Sequence, residues 1–202
     1  MPEDCTRWLA VARGLGRLWL RLFGWTLHPL PAVVPPKFVF VAAPHTSGWD
    51  LPFMLATAYA LGIPISWFGK HTLFGPGLGR LMRALGGLPI DRQASHDVVR
   101  QTAELFRTSP RLVLAVPPEG TRRKVEYWRS GFYHIALGSG VPIGLGFLDY
   151  GKKVCGLGSL ITPTGDVGRD MDTIRAFYRN IRAKHPALAS EPRLREEDGP
   201  GL

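Results

Sequence analysis

The chain has 202 residues, 45% hydrophobic and 20% charged, which excludes a disordered polar segment and allows one domain with a sizeable core. Two cysteines, Cys5 and Cys155, exclude a disulfide framework, and without a CxxC or Cys/His cluster there is no zinc pattern, so a reducing compartment is expected. Lys and Arg number 25 against 16 Asp and Glu, a net charge of +9 that points to an anionic partner: acidic lipid, a phosphorylated substrate or nucleic acid.

The first predicted element is an amphipathic helix within residues 1–28. Trp8, Val11, Ala12, Leu15, Leu18, Trp19, Leu22 and Phe23 recur at helical spacing and form one stripe, with Arg7, Arg13, Arg17 and Arg21 opposite. The arginines exclude a spanning helix, because each costs roughly 3 kcal/mol at the bilayer centre, and they interrupt any signal-peptide core. Two placements stay open. The stripe lies in a membrane interface with the arginines toward anionic head groups, or it packs on the protein's own core.

Pro29, Pro31, Pro35 and Pro36 make the next stretch a stiff extended connector, since a residue before proline avoids the α region. A main domain is predicted over residues 29–185. Its first strand is the apolar run Lys37–Ala43. The uncharged stretch Leu51–Phe68 has the hydropathy of a membrane span, but Gly62 and Pro64 divide it into a helix of about three turns and a strand, Ile65–Phe68. Further strands are predicted at Gly87–Asp91, Leu112–Val116, Val141–Leu148 and Lys153–Leu160. Helices are predicted at Gly77–Leu85, Ser95–Arg107, Phe132–Gly138 and Met171–Lys184, Ser95 being a helix cap with Asp97 in the favourable first turn. Short apolar strands alternating with helices give an α/β fold: a single-domain αβα sandwich with a largely parallel sheet, preceded by the N-terminal amphipathic helix. Residues 186–202, rich in charge, Pro and Gly, read as a polar, frayed tail.

The segment Pro44-His45-Thr46-Ser47-Gly48-Trp49-Asp50 follows the first strand, and open α/β sheets build their sites at the carboxyl ends of strands. If residues 47–50 begin a helix, Asp50 lies about a turn beyond His45. A carboxylate there can accept from one ring nitrogen and leave the other as a base near neutral pH. The spacing alone equally suits a capping histidine and a helical aspartate.

Three further segments occur in order. Gly86-Gly-Leu-Pro-Ile-Asp-Arg92 ends a strand with an arginine. Pro118-Glu-Gly-Thr-Arg122, followed by Arg123 and Lys124, comes after another strand. Val141-Pro142-Ile143 opens a third, after Gly131-Phe-Tyr-His-Ile-Ala136. With His45, Asp50, and Lys70, Leu73 and Pro76 between the first blocks, this set resembles the glycerolipid acyltransferase family, which contains the 1-acylglycerol-3-phosphate acyltransferases, over roughly residues 38–165.

The resemblance implies that His45 is the general base and Asp50 its orienting partner. An acceptor hydroxyl then attacks an acyl thioester directly, on coenzyme A or acyl carrier protein as co-substrate, with no cofactor and no metal. No serine nucleophile is needed, in keeping with the absence of a G-x-S-x-G elbow. Arg92 and Arg122 match positions that bind the acceptor's phosphate, a role suited to the paired donors of a guanidinium. Lys70 joins them on the substrate side. Glu119 and Thr121 are expected to order the loop and the bound acceptor, and Gly120 to permit a tight turn. The implied acceptor is a lysophospholipid such as 1-acylglycerol-3-phosphate, met by a peripheral enzyme at the cytoplasmic face of an anionic membrane.

The sequence departs from the family pattern at Pro117, where phenylalanine is common, at Gly144-Leu145-Gly146, where a second proline is common, and at Arg123 and Lys124. These departures keep another hydroxylated lipid open as acceptor. A catalytically silent module that binds anionic lipid is the competing class. A nucleic-acid binder would account for the charge but has no clustered recognition motif. His134 reads as a structural residue on a buried helix, and His71 as a possible neighbour of the acceptor. Trp67, Phe68, Phe132 and Tyr133 read as core or as walls of an acyl channel.

Overall fold

The computed structural model describes residues 3–90 and 95–199. Lys37–Ala42 forms β2, and alternation sends its side chains to both faces of a sheet: Phe38 and Phe40 to one, Val39 and Val41 to the other, all buried. The sheet also contains β1 (Thr26–Leu27), β3 (Ser66–Lys70), β4 (Gly87–Ile90), β5 (Leu112–Val116), β6 (Ile143–Asp149) and β7 (Val154–Ile161). Its order is β1-β7-β6-β2-β5-β3-β4, and every neighbouring pair is parallel except β6 with β7. A strand buried on both faces reads as a continuous apolar run, which is why β2 was legible in the sequence.

The glycines that depart from the family pattern make room for the rings of β2. A Cβ on Gly144 would stand 2.8 Å from the Phe38 ring, and one on Gly146 would stand 2.0 Å from the Phe40 ring. The pairing Phe40↔Gly144 and Ala42↔Gly146 brings these strands side by side.

Helices cover both faces, as the sandwich requires. On one lie α1 (Glu3–Leu22) and α2 (Asp50–Leu61); on the other lie α4 (Ser95–Thr108), α5 (Gly131–Ser139) and α6 (Val167–Tyr178), while α3 (Leu78–Ala84) follows β3 toward β4. Gly62, at φ 75°, closes α2 with its N–H on the Tyr59 carbonyl, so the uncharged stretch divides as its Gly and Pro require. Among the described residues no helix is long and apolar enough to cross a membrane.

α2 is apolar all round because it is sandwiched. Phe53, Ala56 and Ala60 meet Leu20 and Trp25 at the N-terminal helix, and Met54 and Ala58 meet the sheet. Against it α1 uses Ala12, Gly16 and Leu20. Gly16 sits so close that a Cβ would stand 2.6 Å from the Ala56 carbonyl oxygen. The single apolar stripe expected of α1 is therefore split. Leu20, outside the expected stripe, is only 2% exposed, whereas Val11, Leu15, Leu18 and Leu22 are 54–73% exposed.

The expectation of a frayed tail is corrected for residues 186–199. Leu194 is fully buried, and Trp128 donates its backbone N–H to the Arg193 carbonyl at 2.7 Å in a parallel bridge of Trp128 with Leu194. Ser190 Oγ accepts the Val125 N–H, Glu197 pairs with Arg175 at 2.8 Å, and Asp198 accepts from the Tyr127 hydroxyl. Composition suggested fraying; one apolar side chain and several partners distant in sequence hold the segment down.

Candidate active site

The strand order places the site. β6, β2 and β5 are adjacent and parallel, so the loops leaving their carboxyl ends meet at one edge of the sheet. The loop after β2 carries His45, that after β5 carries Glu119 to Arg122, and Tyr150 follows β6 directly.

Asp50 is the first residue of α2 and is buried. The chain from His45 wraps round its carboxylate. Oδ2 accepts the Thr46 N–H at 2.9 Å, the Ser47 N–H at 2.8 Å and the ring Nδ1–H of His45 at 3.1 Å. Oδ1 accepts the Tyr150 hydroxyl at 2.8 Å. Burial pushes the Asp50 carboxyl up, but the hydrogen bonds from His45, Ser47 and Tyr150 outweigh it and hold the group below its ordinary 3.8. An ionised carboxylate only accepts, so Nδ1 carries the proton, and in the neutral imidazole Nε2 keeps its lone pair. His45 retains 26% side-chain exposure, open to a reacting group.

Two further ties fix the loop. Glu119, 3% exposed, accepts the His45 backbone N–H on Oε1 at 3.0 Å, while its Oε2 is buried without a partner. Burial raises its carboxyl above the ordinary 4.5, and the His45 N–H offsets this only in part. The His185 N–H reaches Thr46 Oγ1 at 3.2 Å. Glu119 thus faces the scaffold and ties the loop at His45.

Gly120 takes φ 64° in a turn closed by its N–H on the Pro117 carbonyl, and Arg129 packs against it. Thr121 and Arg122 are exposed at the cavity mouth. The Arg122 guanidinium lies beside Gly48, its Nη1 being 3.0 Å from where a Cβ there would stand. On the far side of the loop, Lys184 Nζ stands 5.2 Å from the Trp49 ring centre and 5.7 Å from that of Tyr150. Lys70 ends β3; its side chain, like all of Arg92, lies outside the described residues.

These residues open on a cavity of about 1850 Å³, lined by His45, Asp50, Gly120, Thr121 and Arg122 together with Leu51, Met54, Trp67, Phe68, Phe132 and Ile135. Trp67 and Met54 belong to one face of the sheet, and Phe68, Phe132 and Ile135 to the other. Pockets for small molecules commonly span roughly 300–1,000 Å³, so this space suits an extended apolar ligand. His134 is exposed and pairs with Glu196 at 3.2 Å, on a helix that buries Phe132, Tyr133, Ile135 and Ala136. Among the described residues no three His, Cys, Asp or Glu side chains cluster as a metal site. An oriented imidazole, an adjacent cation and apolar walls can together activate a hydroxyl, hold an anionic head and shelter a chain. Tyr150 and Lys184 carry no sequence signal, because only the fold brings them to the loop.

The sequence profile of the Acyltransferase family matches residues 27–144. No curated protein sequence matches the chain. Among solved structures, the 1-acyl-sn-glycerophosphate (LPA) acyltransferase PlsC of Thermotoga maritima superposes with a TM-score of 0.58 at 17% identity, over 87% of this chain and 81% of that one.

Proposed function

The chain belongs to the Acyltransferase family, and we propose that it moves a fatty acyl group from a thioester, on coenzyme A or acyl carrier protein, to the hydroxyl of a lysophospholipid such as 1-acylglycerol-3-phosphate. The observation that carries this reading is the Nδ1–Oδ2 hydrogen bond of His45 with Asp50 at the mouth of the apolar cavity. In this reading Nε2 takes the hydroxyl proton as the oxygen attacks the thioester carbonyl, and Asp50 stabilises the imidazolium that forms. The tetrahedral intermediate collapses, the C–S bond breaks, and the departing thiolate recovers the proton from His45.

Arg122 meets the acceptor's phosphate, with Arg92 and Lys70 as further cations. The protein works at the cytoplasmic face of an anionic membrane, where a single-chain acceptor partitions. The exposed apolar row of α1 supports that placement.

The test is thiol release from acyl-CoA in the presence of lysophosphatidate, with lipid products read by mass spectrometry. Wild type releases thiol and forms the diacyl product. His45→Ala and Asp50→Asn, folded by circular dichroism, lose roughly 10²–10⁴-fold, the usual share of general-base catalysis. Lipid binding without release from any donor returns the protein to a silent lipid-binding module.

A further inference from the structure

Asp50 spends its two oxygens differently. Oδ2 serves three donors on its own loop, whereas Oδ1 faces away and accepts from Tyr150, 100 residues on in the chain. We propose that Tyr150 is a positioning residue for the acyl transfer: its hydroxyl fixes the plane of the Asp50 carboxylate and keeps Oδ2 on His45 Nδ1. The inference rests on the reading of His45 and Asp50 above.

Tyr150 is built for that task. Its N–H is bound to the Arg182 carbonyl at 2.9 Å, and its ring meets Trp25 edge-on at 4.9 Å and Phe53 at 6.2 Å. The hydroxyl is therefore aimed by packing as well as by its partner. The residue is absent from the cavity wall although its neighbours Phe147 and Leu148 are part of it, so it acts through Asp50 and not on substrate. Without the hydroxyl, Oδ1 would be a buried acceptor lacking its donor and the carboxylate would be free to turn.

The direction of the pH effect follows from charge. The carboxylate spreads its charge over donors from His45, Thr46, Ser47 and Tyr150. Removing one concentrates charge on the rest, strengthens the attraction for imidazolium, and makes the base hold its proton to higher pH. The other charged or titratable groups facing the pair are Glu119 on the His45 N–H, Arg122 beside Gly48, and Lys184 over Trp49 and Tyr150, with His185 reaching Thr46 through its backbone. None of them is altered by Tyr150→Phe.

The experiment is the pH profile of kcat/KM for acyl-CoA and lysophosphatidate with Tyr150→Phe, alone and with Asp50→Asn. Expected are a clear loss in kcat, little change in either KM, and an acidic limb moved to higher pH. In the Asp50→Asn background the second change adds nothing. Replacing Tyr150 with 3-fluorotyrosine, a stronger donor, moves the limb to lower pH and keeps the test valid if Tyr150→Phe does not fold. An unmoved limb in both variants, or an equal loss in the Asp50→Asn background, overturns the proposal. His45→Ala in the same assay separates the two failures: if it stays active the catalytic pair is wrong, and if it is dead with the Tyr150→Phe profile unmoved, only the role of Tyr150 falls.

Discussion

The carboxylate of Glu119 holds the backbone N–H of His45 at 3.0 Å, so the loop after β5 fixes where the loop after β2 begins. A residue in the expected acceptor block is turned inward, and its removal should be felt first as a loosened base. Glu119→Ala leaves a buried N–H unpaired, which costs about 1–3 kcal/mol. It should lower both the melting temperature and the transfer rate, while Glu119→Gln, whose amide oxygen can still accept, keeps the rate near wild type.

The same residue sets a pH dependence of stability. Burial raises the folded carboxyl above its ordinary 4.5, so between those two values the folded chain binds more protons than the unfolded one. Wild-type stability therefore falls as pH rises through that window. Glutamine does not titrate, so the stability of Glu119→Gln relative to wild type should increase from pH 4 to pH 7. Urea midpoints at both pH values measure this, and a Glu119→Gln midpoint that falls relative to wild type as pH rises would contradict the argument.

Arg122 stands beside Gly48 without a carboxylate partner among the described ion pairs. A charge-assisted contact with phosphate is worth roughly 1.5–3 kcal/mol, or about ten- to over a hundredfold. Arg122→Ala should raise the acceptor KM by that factor and leave the donor KM nearly unchanged. Arg122→Lys should recover only part, since the paired geometry is lost. The same loss on a phosphate-free acceptor would assign the guanidinium to another ligand.

Leu194 tests the packed C-terminal segment. A fully buried leucine truncated to alanine costs about 2–5 kcal/mol, each worth about 2–4 °C in a chain of this size. Leu194→Ala should melt well below wild type. A melting curve that does not move would mean the segment is loose in solution.

The family, the sandwich and the His45–Asp50 hydrogen bond were legible because each rests on local pattern: an apolar strand, Gly and Pro punctuation, and four residues between the histidine and the aspartate. Tyr150 was not legible, because its partner lies 100 residues away and only the adjacency of β6 and β2 joins them. Gly144 and Gly146 looked like departures until the rings of Phe38 and Phe40 filled the space above them. The period of α1 was read correctly, but period alone does not say which part of an apolar arc faces inward. Gly16 decides that, by letting α1 approach the backbone of α2.

That approach yields the last prediction. With Ala12, Gly16 and Leu20 committed to α2, the helix presents Val11, Leu15, Leu18 and Leu22 outward. This row runs toward Phe23 and Trp49, whose rings lie 6.3 Å apart, and Trp49 immediately precedes Asp50. In the proposed function, an apolar row ending at the site gives a lipid acceptor a short path from bilayer to base. Leu15→Asn, Leu18→Asn and Leu22→Asn together should release the protein from anionic vesicles, with little change in melting temperature because these side chains pack on nothing inside. Arg13 lies against Gly62 at the end of α2, so the charge test falls on its neighbours. Arg17→Glu with Arg21→Glu should weaken binding by roughly 1 kcal/mol or more per residue, and less as salt rises. Gly16→Leu is the opposite control: it forces the helices apart and should lower the melting temperature. Flotation and melting on these three proteins separate the two faces of α1. If the asparagine variant floats like wild type but melts early, the outward row serves the fold and the membrane-docking role is lost.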